Sequence, residues 1–265
     1  RRSSDLNYMV TDGEIAFVIN NAHEMGIKVC LKPVINLSDD LWRARINFPD
    51  DDSTYWDEWF ESYTNFICHY AQIAEETKCE MFCIGCEMSG TERKTQHWRH
   101  VIEKVRGIYT GSVTYNANHG SEEDIEWFDA VDIIGTSAYY AVSKTNEDTE
   151  ESMIAKWEET KGKLYKVHKK FNKQILFMEI GCRSASGCST MPWDCFTDLP
   201  FDEEEQAKYY SSAMKAYWEE EWFSGFFWWD WKHTLYALED AKLDKDFSIY
   251  GKKAEEVVKE WYKHK

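Results

Sequence analysis

Short apolar runs alternate with longer amphipathic ones along the whole of this chain. Strand-like runs fall at 29–34, 81–87, 112–116, 131–139, 174–180 and 225–229. Helical periodicity fills the gaps. Thr11-x-x-Glu14 has the form of a capping box, and Ile15, Val18, Ile19, Ala22 and Met25 then share one helical face that Gly26 ends. Trp56, Trp59, Phe60, Tyr63, Phe66, Ile67 and Tyr70 line a helix over 56–77, and Trp98, Val101, Ile102 and Val105 line one over 95–108. Ser121, followed by Glu122-Glu123-Asp124, predicts a short helix with an acidic first turn. Further helices are expected over 151–171 and 203–219 and around Ala254, Val257, Val258 and Trp261. Strands separated by helices imply a parallel α/β sheet. Six strands suit a doubly wound open sheet, whereas a closed barrel needs eight. The chain has 4 Pro in 265 residues and no low-complexity stretch, which predicts one domain over 1–265.

Charge narrows the partners. A net charge of −17 repels phosphate backbones and anionic membrane surfaces, so neither nucleic acid nor membrane is an expected partner. No run of 18 apolar residues is present, and the opening Arg1-Arg2-Ser3-Ser4-Asp5 is polar rather than a signal peptide. Aromatic content is high, with 13 Trp, 15 Tyr and 14 Phe. Most of these rings are expected to pack in the core, but a pyranose also presents a flat C–H face that suits an aromatic ring. Cys83-x-x-Cys86 lies within a strand, where alternation sends the two thiols to opposite faces and disfavours a metal site. Cys182, Cys188 and Cys195 share one loop-like segment, where two of them could bridge or all three stay reduced.

Two strands end in glutamate. In Met81-Phe82-Cys83-Ile84-Gly85-Cys86-Glu87, alternation puts Cys83, Gly85 and Glu87 on one face and Phe82, Ile84 and Cys86 on the helix-facing side. In Ile175-Leu176-Phe177-Met178-Glu179-Ile180-Gly181, it turns Leu176, Met178 and Ile180 to the helices and Phe177 and Glu179 inward. A carboxylate in an apolar strand is costly without a partner or a job. Paired inward carboxylates suit glycoside hydrolysis, in which one protonates the leaving oxygen and the other attacks the anomeric carbon.

The stretches Phe82-Cys83-Ile84-Gly85-Cys86-Glu87-Met88 and Phe177-Met178-Glu179-Ile180-Gly181, and Leu31-Lys32-Pro33 with Trp42-Arg43, resemble glycoside hydrolase family 113. So do Ile134-Gly135 with Ala138-Tyr139-Tyr140, and Phe227-Trp228-Trp229. The resemblance runs from about residue 11 to 262. It implies a (β/α)8 TIM barrel and a retaining β-1,4-mannanase with no cofactor and no metal. It makes Glu87 the acid/base at the end of the fourth strand and Glu179 the nucleophile at the end of the seventh. Tyr139 is then the tyrosine that hydrogen-bonds the nucleophile, with Tyr140 as the second choice. Trp229 is the sugar platform, with Trp231 just beyond it. Lys32, Asn36, Trp42 and Arg43 would line the cleft, and Asn116, Asn118 and His119 would meet sugar hydroxyls. Many members of this barrel clan carry Asn before the acid/base, where this chain has Cys86. The family's strand order makes 29–34 the third strand, so the first two would lie before Arg1, absent from this chain or supplied elsewhere.

The resemblance also implies a β-linked oligo- or polysaccharide substrate and a secreted or cell-surface setting. It leaves the oligomeric state open. The same chemistry on glucan, xylan or an amino-sugar polymer, or a non-catalytic carbohydrate-binding barrel, are the alternatives.

Overall fold

The computed structural model describes residues 10–38, 41–232 and 234–263. Its strands are β1 (Cys30–Leu31), β2 (Met81–Cys86), β3 (Ser112–Asn118), β4 (Ile133–Ser137), β5 (Ile175–Ile180) and β6 (Phe223–Trp228). Its helices are α1 (Asp12–Glu24), α2 (Ser53–Glu76), α3 (Ser89–Glu92), α4 (Thr95–Arg106), α5 (Glu150–Phe171), α6 (Glu203–Tyr217) and α7 (Lys253–Tyr262). The chain is thus α/β, with each strand where an apolar run predicts it. β1 is shorter than the 29–34 run, because Pro33 has no N–H to give to a ladder. Two compact units emerge, residues up to 135 with 171–173, and residues 136–170 with 174–265.

In the first unit β1 pairs parallel with β2, and β2 with β3. α2 and α4 bring Trp56, Phe60, Tyr63 and Trp98, all buried, into one aromatic layer. Trp98 stacks on Trp127 with ring centroids 4.9 Å apart and meets Tyr115 edge-on at 5.1 Å. Trp56 Nε1 is buried without a hydrogen-bond partner among the described residues, but the polar tips of the rings around it are satisfied, as burial demands. The Tyr63 hydroxyl donates to Ile84 O (2.7 Å), Trp98 Nε1 to Thr91 O (3.1 Å) and Trp127 Nε1 to Glu92 O (2.9 Å).

The capping box at Thr11 and Glu14 forms in both directions. The apolar face expected along α1 is not a buried one: only Ile19 is covered, while Val18 is 64% and Met25 75% exposed. The short helix expected at Ser121 is a turn instead, held by Asp124 N to Ser121 O (3.1 Å). Glu122 folds back to take the Gly120 N–H at 2.8 Å, and a buried side chain used this way is not available to favour a helix N-terminus.

In the second unit β5 pairs parallel with β6. Trp157 of α5 and Tyr209 and Tyr217 of α6 pack with Phe177 and Phe223. The N-cap of α6 is Asp202, which accepts from Glu205 N at 3.0 Å. Glu205 is buried and accepts from Gly187 N (2.6 Å), Ser189 N (3.0 Å) and Ser189 Oγ (2.6 Å). That carboxylate fastens the segment leaving β5 to the first turn of α6. The buried Lys252 ammonium donates to Ser184 Oγ (2.7 Å), Asp244 Oδ2 (2.9 Å) and Ser248 O (2.7 Å), tying the loop after β5 to the loop before α7.

Two register shifts overturn the simple alternation read from the sequence. Cys83 pairs with Thr114 but Cys86 with Asn116, so β2 carries one extra residue, a β-bulge. Beyond it the faces exchange. Gly85 turns toward the helices, where an added Cβ would lie 2.8 Å from Tyr115 and 3.0 Å from Trp98. Cys86 turns the other way and accepts from Asn116 Nδ2 at 3.3 Å. Cys83 and Cys86 therefore share a face rather than opposing each other. β5 behaves likewise: Phe177 pairs with Phe226 and Ile180 with Trp228. Phe177 lies among the helix-side rings of Trp157 and Tyr217, not inward as alternation predicted. The extra residue in β5 keeps Glu179 off that aromatic layer.

Candidate active site

Glu87 is the first residue past β2. By alternation after Cys86 its side chain would enter the Trp98 layer. Instead its backbone takes φ +51, a left-handed conformation rare for residues with a Cβ and concentrated at functional sites. The turn re-aims the carboxylate. Oε2 accepts from Arg43 Nη1 at 3.0 Å and from Trp42 Nε1 at 3.3 Å. Arg43 is itself fixed, donating from Nε to Ile35 O (3.0 Å) and from Nη2 to Asn36 Oδ1 (3.4 Å). Two of the residues expected to line a cleft, Trp42 and Arg43, thus converge on Glu87, and a third, Asn36, holds Arg43 in place.

Glu179 lies in β5 and is 9% exposed. The Tyr139 hydroxyl donates to its Oε2 at 3.1 Å. Its own carbonyl accepts from Ala138 N at 2.6 Å, which joins the segment carrying Tyr139 to the strand carrying Glu179. Tyr140 points elsewhere, edge-on to Trp157 and near Phe177, so the contact with Glu179 falls to Tyr139. Trp229 N donates to Ile180 O at 2.8 Å, and a Cβ on Gly181 would sit 2.2 Å from the Trp229 carbonyl. Only glycine allows that approach. The Trp229 ring remains 42% and Trp231 61% exposed, as rings that stack on a ligand must be.

The remaining predicted residues divide by exposure. Lys32, Asn118 and His119 are half-buried, whereas Asn116 is fully buried against Cys86. Cys182 and Cys188 are buried free thiols with sulfurs 2.8 Å apart, and burial raises both above the ordinary thiol range. Cys195 is exposed. Among the described residues, no three His, Cys, Asp or Glu side chains are arranged to hold a metal.

Behind Glu87 lies a network that the sequence reading misses. Tyr115, fully buried, accepts from Met88 N (3.1 Å) and donates to Glu92 Oε1 (2.8 Å). Glu92 is 6% exposed, and burial pushes its pKa from an ordinary 4.5 to about 7, against the opposing hydrogen bonds of Tyr115 and Ser121. Nothing in Ser89-Gly90-Thr91-Glu92 marks a buried acid. The one available signal is Tyr115, a phenol on the helix-facing side of a strand, which must find a partner.

A carboxyl group whose folded pKa is raised stabilises the fold while protonated. Between about pH 4.5 and 7 the unfolded chain binds fewer protons than the folded one at this site, so stability falls as pH rises. The rise from 4.5 to about 7 corresponds to about 3 kcal/mol. Urea unfolding at the two ends of this window is expected to show that loss, and Glu92→Gln is expected to abolish its Glu92-dependent part. An equal pH slope in the variant would contradict the assignment.

Each unit of this α/β chain thus holds one glutamate at a strand end, Glu87 by guanidinium and indole and Glu179 by phenol. The chain belongs to glycoside hydrolase family 113, whose model matches residues 3–252. It is similar to the structure of the GH113 β-mannanase AaManA from Alicyclobacillus acidocaldarius in complex with ManMIm. The two are 40% identical, with a TM-score of 0.88 over 97% of this chain and 79% of that one. A second GH113 β-1,4-mannanase structure is 39% identical, with a TM-score of 0.89 over 97% of this chain and 80% of that one. A β-glucuronidase from an uncultured Clostridium sp., 17% identical with a TM-score of 0.67, covers 93% of this chain and 42% of its own, and shares the fold alone. No curated protein matches the chain.

Proposed function

We propose that the chain hydrolyses β-1,4-mannosidic bonds in mannan-type polysaccharides with retention of configuration, on a scaffold that is part of a (β/α)8 barrel. Membership of family 113 and the 40% identity to a β-mannanase support the substrate. The observation that carries the chemistry is Glu179 at a strand end, with its Oε2 held by the Tyr139 hydroxyl. In this reading Glu179 attacks the anomeric carbon. Tyr139 orients it and balances its charge. Glu87 gives its proton to the leaving oxygen, then takes one from the water that releases the glycosyl-enzyme. Arg43 and Trp42 both address Oε2 of Glu87, so Oε1 is the oxygen that exchanges the proton. Trp229 serves as the sugar platform, and Trp231, Lys32, Asn118 and His119 extend the cleft.

The test is release of reducing ends from a panel of polymers. Mannan and glucomannan are expected to give kcat/KM values at least about tenfold above cellulose, xylan and chitin, a difference of about 1.4 kcal/mol in transition-state binding. Turnover confined to another polymer would keep the mechanism and change the sugar. Binding of manno-oligosaccharide with no turnover of any polymer would contradict the proposal.

A further inference from the structure

The left-handed turn at Glu87 has to be held by something, because a side-chain-bearing residue does not rest there unaided. Both flanking N–H groups are taken by β3. Glu87 N donates to Asn116 O at 2.8 Å, and Met88 N to the Tyr115 hydroxyl at 3.1 Å. The first is an ordinary strand-end contact. The second is a side-chain clamp, and a phenol can make it only in one orientation. A hydroxyl has one proton to give, and here that proton goes to Glu92 Oε1 at 2.8 Å, which leaves the oxygen lone pairs for Met88 N–H. The acceptor is fixed in turn. Glu92 closes α3, its carbonyl accepts from Trp127 Nε1 at 2.9 Å, and its neighbour Thr91 is held by Trp98 Nε1.

The same segment reaches the other side of the carboxylate. A Cβ on Gly90 would lie 2.2 Å from Ile46 O and 2.9 Å from Ala44 O, so the backbone just after Glu87 rests directly on the backbone just after Arg43. A shift of the 88–92 turn would therefore move Glu87 relative to the guanidinium that pairs with it.

We propose that Tyr115 and Glu92 are positioning residues of the hydrolytic reaction: their hydrogen-bonded pair pins the Met88 amide and so sets the direction of the Glu87 carboxyl group. This rests on Glu87 being the general acid/base. Neither residue touches substrate. Their effect should therefore appear only in steps that need the Glu87 proton, and not in substrate affinity.

Tyr115→Phe keeps the ring against Trp98 and Trp127 and removes only the hydroxyl. On mannan, kcat is expected to fall about 10- to 100-fold with KM changed less than about twofold, a fraction of what loss of a general acid removes. On an aryl β-mannoside whose phenol leaves without protonation, kcat/KM is expected to stay within about threefold of the parent enzyme. Glu92→Ala is expected to copy this pattern. Glu92→Gln, whose amide oxygen still accepts the phenol proton, is expected to recover most of the loss. Equal losses on both substrates in Tyr115→Phe would indicate general damage and overturn the proposal, as would no loss on mannan. If Tyr115→Phe does not fold, the Glu92 pair decides: equal activity of Glu92→Ala and Glu92→Gln overturns it. Glu87→Ala, measured alongside, separates the two readings. Without any leaving-group dependence in Glu87→Ala, the acid/base assignment itself fails. With that dependence there but absent in Tyr115→Phe and Glu92→Ala, only the positioning role fails.

Discussion

Glu179→Gln is expected to lower kcat on mannan by on the order of 10⁴- to 10⁶-fold, the scale seen when a covalent nucleophile is removed. The amide is isosteric, and its oxygen still accepts from the Tyr139 hydroxyl, which now meets Glu179 Oε2 at 3.1 Å. The strand-end contacts of Ala138 N and Trp229 N are backbone contacts and survive the change. Thermal unfolding should therefore move little while activity disappears. An amide cannot carry the glycosyl group through a stable covalent intermediate, so no compensating route exists at this position. In Glu179→Ala a small anion such as azide can take the vacated place and attack from the same side. The product is then a glycosyl azide of inverted configuration. Activity of Glu179→Gln within tenfold of the parent would remove this residue from the mechanism.

The second large effect is at Glu87, and its size depends on the leaving group. General acid catalysis contributes about 10²- to 10⁴-fold. Glu87→Ala is expected to lose that factor on mannan, whose leaving sugar oxygen must be protonated. On an aryl mannoside with an acidic phenol, the first step is expected to proceed nearly unaided. Release of the glycosyl-enzyme then becomes slow, because no base activates water, and a burst of phenol is expected before a slow steady state. Azide should speed the second step, giving a product of retained configuration. The contrast between azide products separates the two glutamates: inverted through position 179, retained through position 87. Arg43 keeps its contacts with Ile35 O and Asn36 in this variant, so the loop that carries it has its own support.

The strands and the two glutamates are legible from the sequence because both follow from short-range patterns. Apolar runs of five to nine residues broken by helical periodicity place β2 through β6, and a lone Glu at the end of such a run stands out. What periodicity cannot supply is a bulge. The extra residue between Cys83 and Cys86 reverses the faces of Gly85 and Cys86, and the one between Phe177 and Ile180 puts Phe177 among the helix-side rings. Alternation alone does not describe how either glutamate is aimed: in β2 it is a left-handed turn that aims Glu87, and in β5 a register shift that turns Glu179. Tyr139 and the Trp42–Arg43 pair are legible through family likeness, since their partners lie 40 to 45 residues away. Tyr115 and Glu92 are not, because a buried Tyr–Glu pair 23 residues apart leaves no local mark. The exposed face of α1 shows the same limit from the other side: amphipathicity says which face is apolar, not whether anything covers it.

The central claim is that Glu179 forms the covalent bond to the sugar. A 2-deoxy-2-fluoro-mannosyl fluoride slows both steps but keeps a good leaving group, so a glycosyl-enzyme accumulates and can be located by mass spectrometry of its peptides. The expected result is one sugar per chain, on the peptide that contains Phe177-Met178-Glu179-Ile180-Gly181, with fragmentation placing it on Glu179. A label on Glu87 or on any other residue, or turnover of mannan with inversion and no label, would contradict the account.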